Sequence, residues 1–166
     1  MEKRVVPNWD RYFMEMAEHI KTRSKDRSTQ VGAIVVGDGH ATLSTGYNGF
    51  PMGINDDKDE RHERPTKYMW TEHAERNSVY LAARRGTRLA GSTIYVTGGG
   101  MPCADCSRAI IQAGIVEFIG MMGKFSGAGP WEESCRIGES MLLEAGVRLV
   151  FLNDRYERVA TESNAS

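Results

Sequence analysis

Two short segments constrain this chain more than anything else in it: His73-Ala74-Glu75 and, about thirty residues on, Pro102-Cys103-Ala104-Asp105-Cys106. One histidine and two cysteines make three zinc-type ligands, one fewer than a closed structural site holds, so a fourth position stays available to water. Glu75, two residues after the histidine, is placed to carry protons rather than to ligate the metal. Both segments fall at expected helix starts, after Thr71 and after Pro102. A Cys-x-x-Cys pair at i and i+3 puts both sulfurs on one helix face, within reach of one ion. The positive end of the helix dipole stabilises thiolates there. Alone, Cys-x-x-Cys also suits a structural zinc or a redox pair; the His-Ala-Glu element and the proline before Cys103 weigh against that.

The rest of the composition is ordinary. With 166 residues, 40% apolar and 26% charged, the expectation is one domain over residues 1–166, with a core at about 8–152 and a polar tail at 153–166. No apolar run reaches the roughly 18 residues of a membrane span, and the first residues lack the apolar stretch of a secretion signal. A formal net charge of −1 lacks the basic excess expected of a protein that grips long nucleic acid, which favours a free small-molecule substrate. Cysteines number three, and Cys135 stands outside the motif. That odd count favours a reducing, cytoplasmic setting over a disulfide framework.

Periodicity and punctuation predict the elements. A helix runs from Trp9 to about Arg23 behind an Asn8 N-cap, with Tyr12, Phe13, Met16 and Ile20 at helical spacing. Strands Val31–Val36 and Ala41–Tyr47 flank a Gly37-Asp38-Gly39 hairpin turn. Residues 48–70 show no period and read as a long functional loop. Thr71 caps a helix to about Arg84, closed by Gly86. Then follow strand Thr93–Thr97, helix Cys103–Gln112, strand Val116–Met121, a helix opened by Pro130 and Trp131 and running to Glu144, and strand Val147–Leu152. Strand–helix–strand repetition implies a parallel segment behind an antiparallel hairpin. The expected fold is a three-layer α/β/α sandwich around a mixed five-stranded sheet.

H-x-E…P-C-x-x-C is the pattern of zinc-dependent nucleobase deaminases, so the chain resembles that group at its metal site. The resemblance implies Zn²⁺ on His73, Cys103 and Cys106. It makes Glu75 the general acid/base that takes a proton from water and returns protons to N3 and the departing amine of a cytosine ring. Further segments resemble the deoxycytidylate (dCMP) deaminase family over residues 10–152. They are Arg23-Ser24-Lys25-Asp26-Arg27-Ser28-Thr29-Gln30-Val31-Gly32-Ala33, Gly46-Tyr47-Asn48-Gly49-Phe50-Pro51-Met52-Gly53, Asp56-Asp57, Thr66-Lys67-Tyr68, His73-Ala74-Glu75-Arg76-Asn77 and Ala109-Ile110-Ile111-Gln112-Ala113-Gly114-Ile115.

That resemblance implies a cytidine deaminase-like fold, conversion of dCMP to dUMP for thymidylate synthesis, and a homo-hexamer. It also implies activation by dCTP and inhibition by dTTP at a second nucleotide site using Mg²⁺. Substrate contacts are expected at Asn48, Arg27, Phe125, Met101 and Pro102, and effector contacts at Arg23, Ser24, Lys25, Asn48 and Gly49. Glycines 46, 49 and 53 would admit close backbone approach to a ligand, and Asn48 offers donors and acceptors to a sugar hydroxyl. Arg23, Lys25 and Arg27 read either as phosphate partners or as a solvated helix end; Phe125 reads as a stacking residue or as core. Cys135 reads as a small buried hydrophobe, and His19, His40 and His62 as histidines without a partner pattern.

The link Thr97-Gly98-Gly99-Gly100-Met101 before Pro102 is longer than the family's usual one, by about two residues, and would widen the pocket beside C5 of the pyrimidine. That suggests 5-methyl- or 5-hydroxymethyl-dCMP as further substrates. Two alternatives remain open at this point: a deaminase acting on a base in tRNA or single-stranded DNA, and a non-catalytic nucleotide sensor.

Overall fold

The computed structural model describes residues 3–98, 100–123, 129 and 131–159. Among these residues, six strands form one mixed sheet: β1 Gly32–Val36, β2 Thr42–Tyr47, β3 Thr93–Val96, β4 Glu117–Met121, β5 Arg148–Leu152 and β6 Arg158–Val159, in the order β2-β1-β3-β4-β5-β6. The hairpin partners β1 and β2 are antiparallel, β1 also runs antiparallel to β3, and β3, β4 and β5 are parallel. Helices are α1 Trp9–Ile20, α2 Lys67–Trp70, α3 Ala74–Arg85, α4 Ala104–Gln112 and α5 Glu132–Glu144. None of the described helices is long and apolar enough to cross a membrane.

Strand alternation sorts the core into two layers. Ile34 and Val36 of β1 and Tyr95 of β3 face α1, against Phe13, Met14 and Ala17. Ala33, Val35, Ile94 and Val96 face the other way, against Ala74, Ala82, Ile110 and Leu142 of α3, α4 and α5. The expected three-layer sandwich is therefore present, with one helix on one face and three on the other. Gly46 in β2 shows how tightly the second layer is packed. A Cβ there would lie 2.2 Å from the Ala74 carbonyl oxygen, so this glycine serves helix packing rather than ligand approach.

Three expectations need correction. The sheet has six strands among the described residues, not five, because residues of the polar tail add β6 beside β5. Two residues are too few to show an alternation, and the pairing is secured by Arg158 reaching Asp10 of α1 at 2.6 Å. The segment 48–70 is not all loop, since it contains α2 and a 3₁₀ turn at Asp59–Arg61. Thr71 does not start α3: it terminates α2, its N–H donating to the Lys67 carbonyl, and the Gly49–Glu72 bridge keeps the next residue extended. The N-cap of α3 is His73 itself.

Candidate active site

Two helix starts converge at the carboxyl end of the β3 strand. His73 is the N-cap residue of α3 and Cys103 that of α4, and neither side chain caps its helix. Both are thereby left to face each other. Cys106 follows one turn into α4, fully buried. The His73 Nδ1 atom lies 3.6 Å from the Cys103 sulfur and 3.4 Å from the Cys106 sulfur, and all three ligand atoms fall within 4.8 Å of one another. A tetrahedral zinc ion with ordinary Zn–S and Zn–N bonds sets its sulfur–nitrogen edges at about 3.6 Å. The donor set and its spacing therefore fit Zn²⁺, with Nδ1 as the imidazole ligand.

The two thiols share one proton between them. Cys103 is held down to about 4, first by the Cys106 thiol donating to it and then by His73. Cys106, which retains that proton and is buried, is pushed well above the ordinary thiol range. Glu75 sits in the first turn of α3, buried, and lines the same cavity. Burial pushes its carboxyl up, opposed by the charge on His73. A carboxyl raised toward neutrality suits a group that must both accept and donate protons. Helix α5 closes this end: Gly138 allows it so near that a Cβ would lie 2.5 Å from the Pro102 carbonyl oxygen, and Ser134 accepts the Ala104 N–H at 3.1 Å.

The cavity beside these groups measures about 160 Å³. Its walls include Met101, Trp131, Tyr68 and Asn48, with Arg64, Lys67, Asp26 and Thr29 also contributing. Trp131 lies edge-on to the His73 ring at 5.3 Å and to Tyr68 at 5.4 Å, forming an aromatic wall beside the ligands. Lys67 is buried with Asp26, its ammonium donating to both carboxylate oxygens at 2.9 and 2.8 Å. Burial raises the Asp26 carboxyl, but Lys67 and the Ser28 and Thr29 amides outweigh it and hold the group below its ordinary range.

The residues expected from sequence divide sharply. His73, Glu75, Cys103, Met101 and Asn48 all line the cavity. Pro102 is buried and not among the residues lining the cavity, its carbonyl accepting from Ser107 at 3.4 Å. Asn48 is already engaged: its side-chain oxygen accepts the Val31 N–H at 2.7 Å and its amide donates to the Thr29 carbonyl at 2.8 Å, shaping the cavity rim. Arg27 is ion-paired with Asp59 at 2.5 Å and does not line the cavity. Lys25 pairs with Asp56 at 2.7 Å, and Ser24 donates to the Asn48 carbonyl at 2.7 Å. Arg23 is exposed at the end of the 3₁₀ turn after α1, and Gly49 pairs with Glu72. Phe125 lies outside the described residues. Cys135 is buried against the Cys103–Cys106 pair, as expected of a small hydrophobe. Trp131, Tyr68 and Arg64 line the cavity without belonging to the residues expected from sequence. The Thr66-Lys67-Tyr68 match offered a signal for Tyr68; Trp131 and Arg64 carry none that spacing reveals.

Residues 7–122 match the family described as the cytidine and deoxycytidylate deaminase zinc-binding region. An uncharacterized deaminase encoded in the luxG 3′ region of Aliivibrio fischeri is 36% identical over 148 residues, covering 89% of this chain and 96% of that one. The human deoxycytidylate deaminase is 38% identical over 122 residues, 70% of this chain and 66% of its own. Among solved structures, the dCMP deaminase of cyanophage S-TIM5 in complex with dCMP and dUMP superposes with a TM-score of 0.68 at 25% identity, over 90% of this chain and 100% of that one. Metal-ligand geometry, structural superposition and sequence match agree, and the chain belongs to the cytidine and deoxycytidylate deaminase zinc-binding family.

Proposed function

We propose that this protein hydrolyses dCMP to dUMP and ammonia. The observation that carries the reading is the buried Glu75 beside a three-ligand zinc site that keeps an open position, at the end of a cavity sized for one small ring. The cyanophage structure with dCMP and dUMP and the human deoxycytidylate deaminase support the nucleotide-level substrate. When bound, zinc supplies the Lewis acidity that lets water act as a nucleophile near neutral pH.

The chain's own residues do the rest. His73, Cys103 and Cys106 would hold the ion. Glu75 accepts a proton from the attacking water and passes it to N3; it then takes the proton of the hydroxyl added at C4 and delivers it to the exocyclic amine, so that the C4–N bond breaks, ammonia leaves and the C4 carbonyl forms. The aromatic wall of Trp131 and Tyr68 excludes water from one side of the ring, and Met101 closes another. Ammonia release from dCMP and from deoxycytidine, measured side by side, tests this. Turnover of neither, alongside turnover of an oligonucleotide, would move the activity to a base in nucleic acid; zinc-loaded protein releasing no ammonia from any pyrimidine would indicate a sensor.

Regulation belongs to the same proposal: dCTP activates, dTTP inhibits, Mg²⁺ accompanies the effector, and the assembly is a homo-hexamer. Support comes from Ser24, Lys25, Asn48 and Gly49, which gather along the loop that follows β2. The substrate range extends to 5-methyl- and 5-hydroxymethyl-dCMP, because Gly98 and Met101 of the long link line the cavity. Removing two residues from the link should leave dCMP turnover and abolish that of 5-methyl-dCMP.

A further inference from the structure

The cavity has a metal end that fits a reacting ring and a charged mouth whose occupant the chemistry above leaves open. We infer that Arg64, with the hydroxyl of Thr29, forms the subsite for the substrate's 5′-phosphate; this rests on the dCMP reading.

The inference follows from accounting for each nearby cation. Lys67 is buried, and its ammonium donates to both oxygens of Asp26, with Ser28 Oγ 3.4 Å away. Its charge and its donors are therefore committed inside the wall. Asp26 is equally occupied, since its Oδ1 also accepts the amides of Ser28 and Thr29 at 2.8 and 3.1 Å. The pair leaves that wall electrically neutral. Lys25 and Arg27 are held by Asp56 and Asp59, off the cavity. Arg64 differs from all of them. It lines the cavity, is exposed, and has no hydrogen bond or ion pair among the described residues.

Thr29 complements it. Its N–H donates to Asp26 and its carbonyl accepts from Asn48, so its backbone is fixed at both ends while its hydroxyl has no partner among the described residues. A phosphate monoester brings about 1.5 to 2 negative charges at neutral pH. A planar guanidinium with parallel N–H donors is the side chain best matched to it. With the other cations neutralised, Arg64 is the group at this mouth able to distinguish a nucleotide from a nucleoside. The plainer role, a solvated surface arginine, predicts no such discrimination.

Steady-state kinetics on dCMP and deoxycytidine separate these roles, using wild type, Arg64→Ala, Arg64→Lys and Arg27→Ala. For Arg64→Ala, kcat/KM on dCMP should fall on the order of 10- to 100-fold, mainly through KM, with deoxycytidine turnover unchanged. Arg64→Lys should recover part of the loss, because it keeps the charge without the fork. Inhibition by inorganic phosphate should weaken in Arg64→Ala in parallel. Unchanged dCMP kinetics in Arg64→Ala, equal losses on both substrates, or a phosphate-specific loss that appears in Arg27→Ala instead would each overturn the assignment. Wild type that prefers dCMP while Arg64→Ala behaves identically removes the subsite and leaves the proposed function standing. Wild type with no preference for dCMP over deoxycytidine removes both.

Discussion

The two ends of the cavity are built in opposite ways. At the metal end, every ligand lies in or beside the first turn of a helix, and Cys103 and Cys106 are separated by one turn of α4. Local backbone geometry does most of the positioning there. At the mouth, Asp26 meets Lys67 across 41 positions of sequence, and Asn48 fixes Thr29 and Val31 from the strand-end opposite. Tertiary contacts do the positioning there. Damage at the metal end should therefore remove chemistry while sparing the fold, and damage at the mouth should cost stability and substrate discrimination while sparing the metal.

The largest effect is expected from Cys103→Ala. Zinc content, measured by metal analysis, should fall from about one per chain toward zero, and ammonia release should vanish with it. Retention of full zinc would show that Cys103 is no ligand. Glu75→Ala comes next: zinc and thermal stability should persist while kcat drops by about 10²- to 10⁴-fold, the usual contribution of a proton carrier. Wild-type rates in this variant would refute its role.

Lys67→Met tests the mouth. It strands the buried Asp26 carboxylate, and losing one partner of such a pair costs roughly 3–5 kcal/mol. Denaturant unfolding should show that loss with zinc content unchanged, and Asp26→Asn combined with Lys67→Met should restore much of it. A smaller effect follows from pH. The Asp26 carboxyl is depressed in the folded protein, so its contribution is fully present above the ordinary carboxylate pKa of about 4 and is lost as pH falls through the folded value. Stability measured from neutral pH downward should fall less steeply in Asp26→Asn than in wild type. The smallest effect belongs to Trp131→Phe, which keeps a ring but not its reach: KM for dCMP should rise about 2- to 10-fold without metal loss.

Legibility tracks the same division. The helices, the hairpin and the parallel core strands could be read because amphipathic and alternating patterns are local. The exceptions were short or tied to distant partners. β6 has two residues and is held by Arg158 on Asp10, and α2 is a single turn whose end is set by the Gly49–Glu72 bridge. That bridge also moved the start of α3 from Thr71 to His73, placing the ligand at the N-cap rather than inside the first turn.

The amino-acid sequence by itself determined the three-layer fold and pointed to the three residues that could hold a metal and to the carboxylate proposed to carry protons. A ligand's identity and spacing along one helix turn are properties of a few consecutive residues. Only the tertiary structure decided which of the many cations remain free. Whether Arg27, Lys25, Lys67 or Arg64 can meet a phosphate depends on which carboxylate lies opposite each one, and those carboxylates come from remote segments. Trp131 reached the site in the same way, carried there by the packing of α5 on the Pro102–Cys103 backbone at Gly138. Charge neutralisation and wall-building are contacts between distant parts of the chain, and no local pattern encodes them.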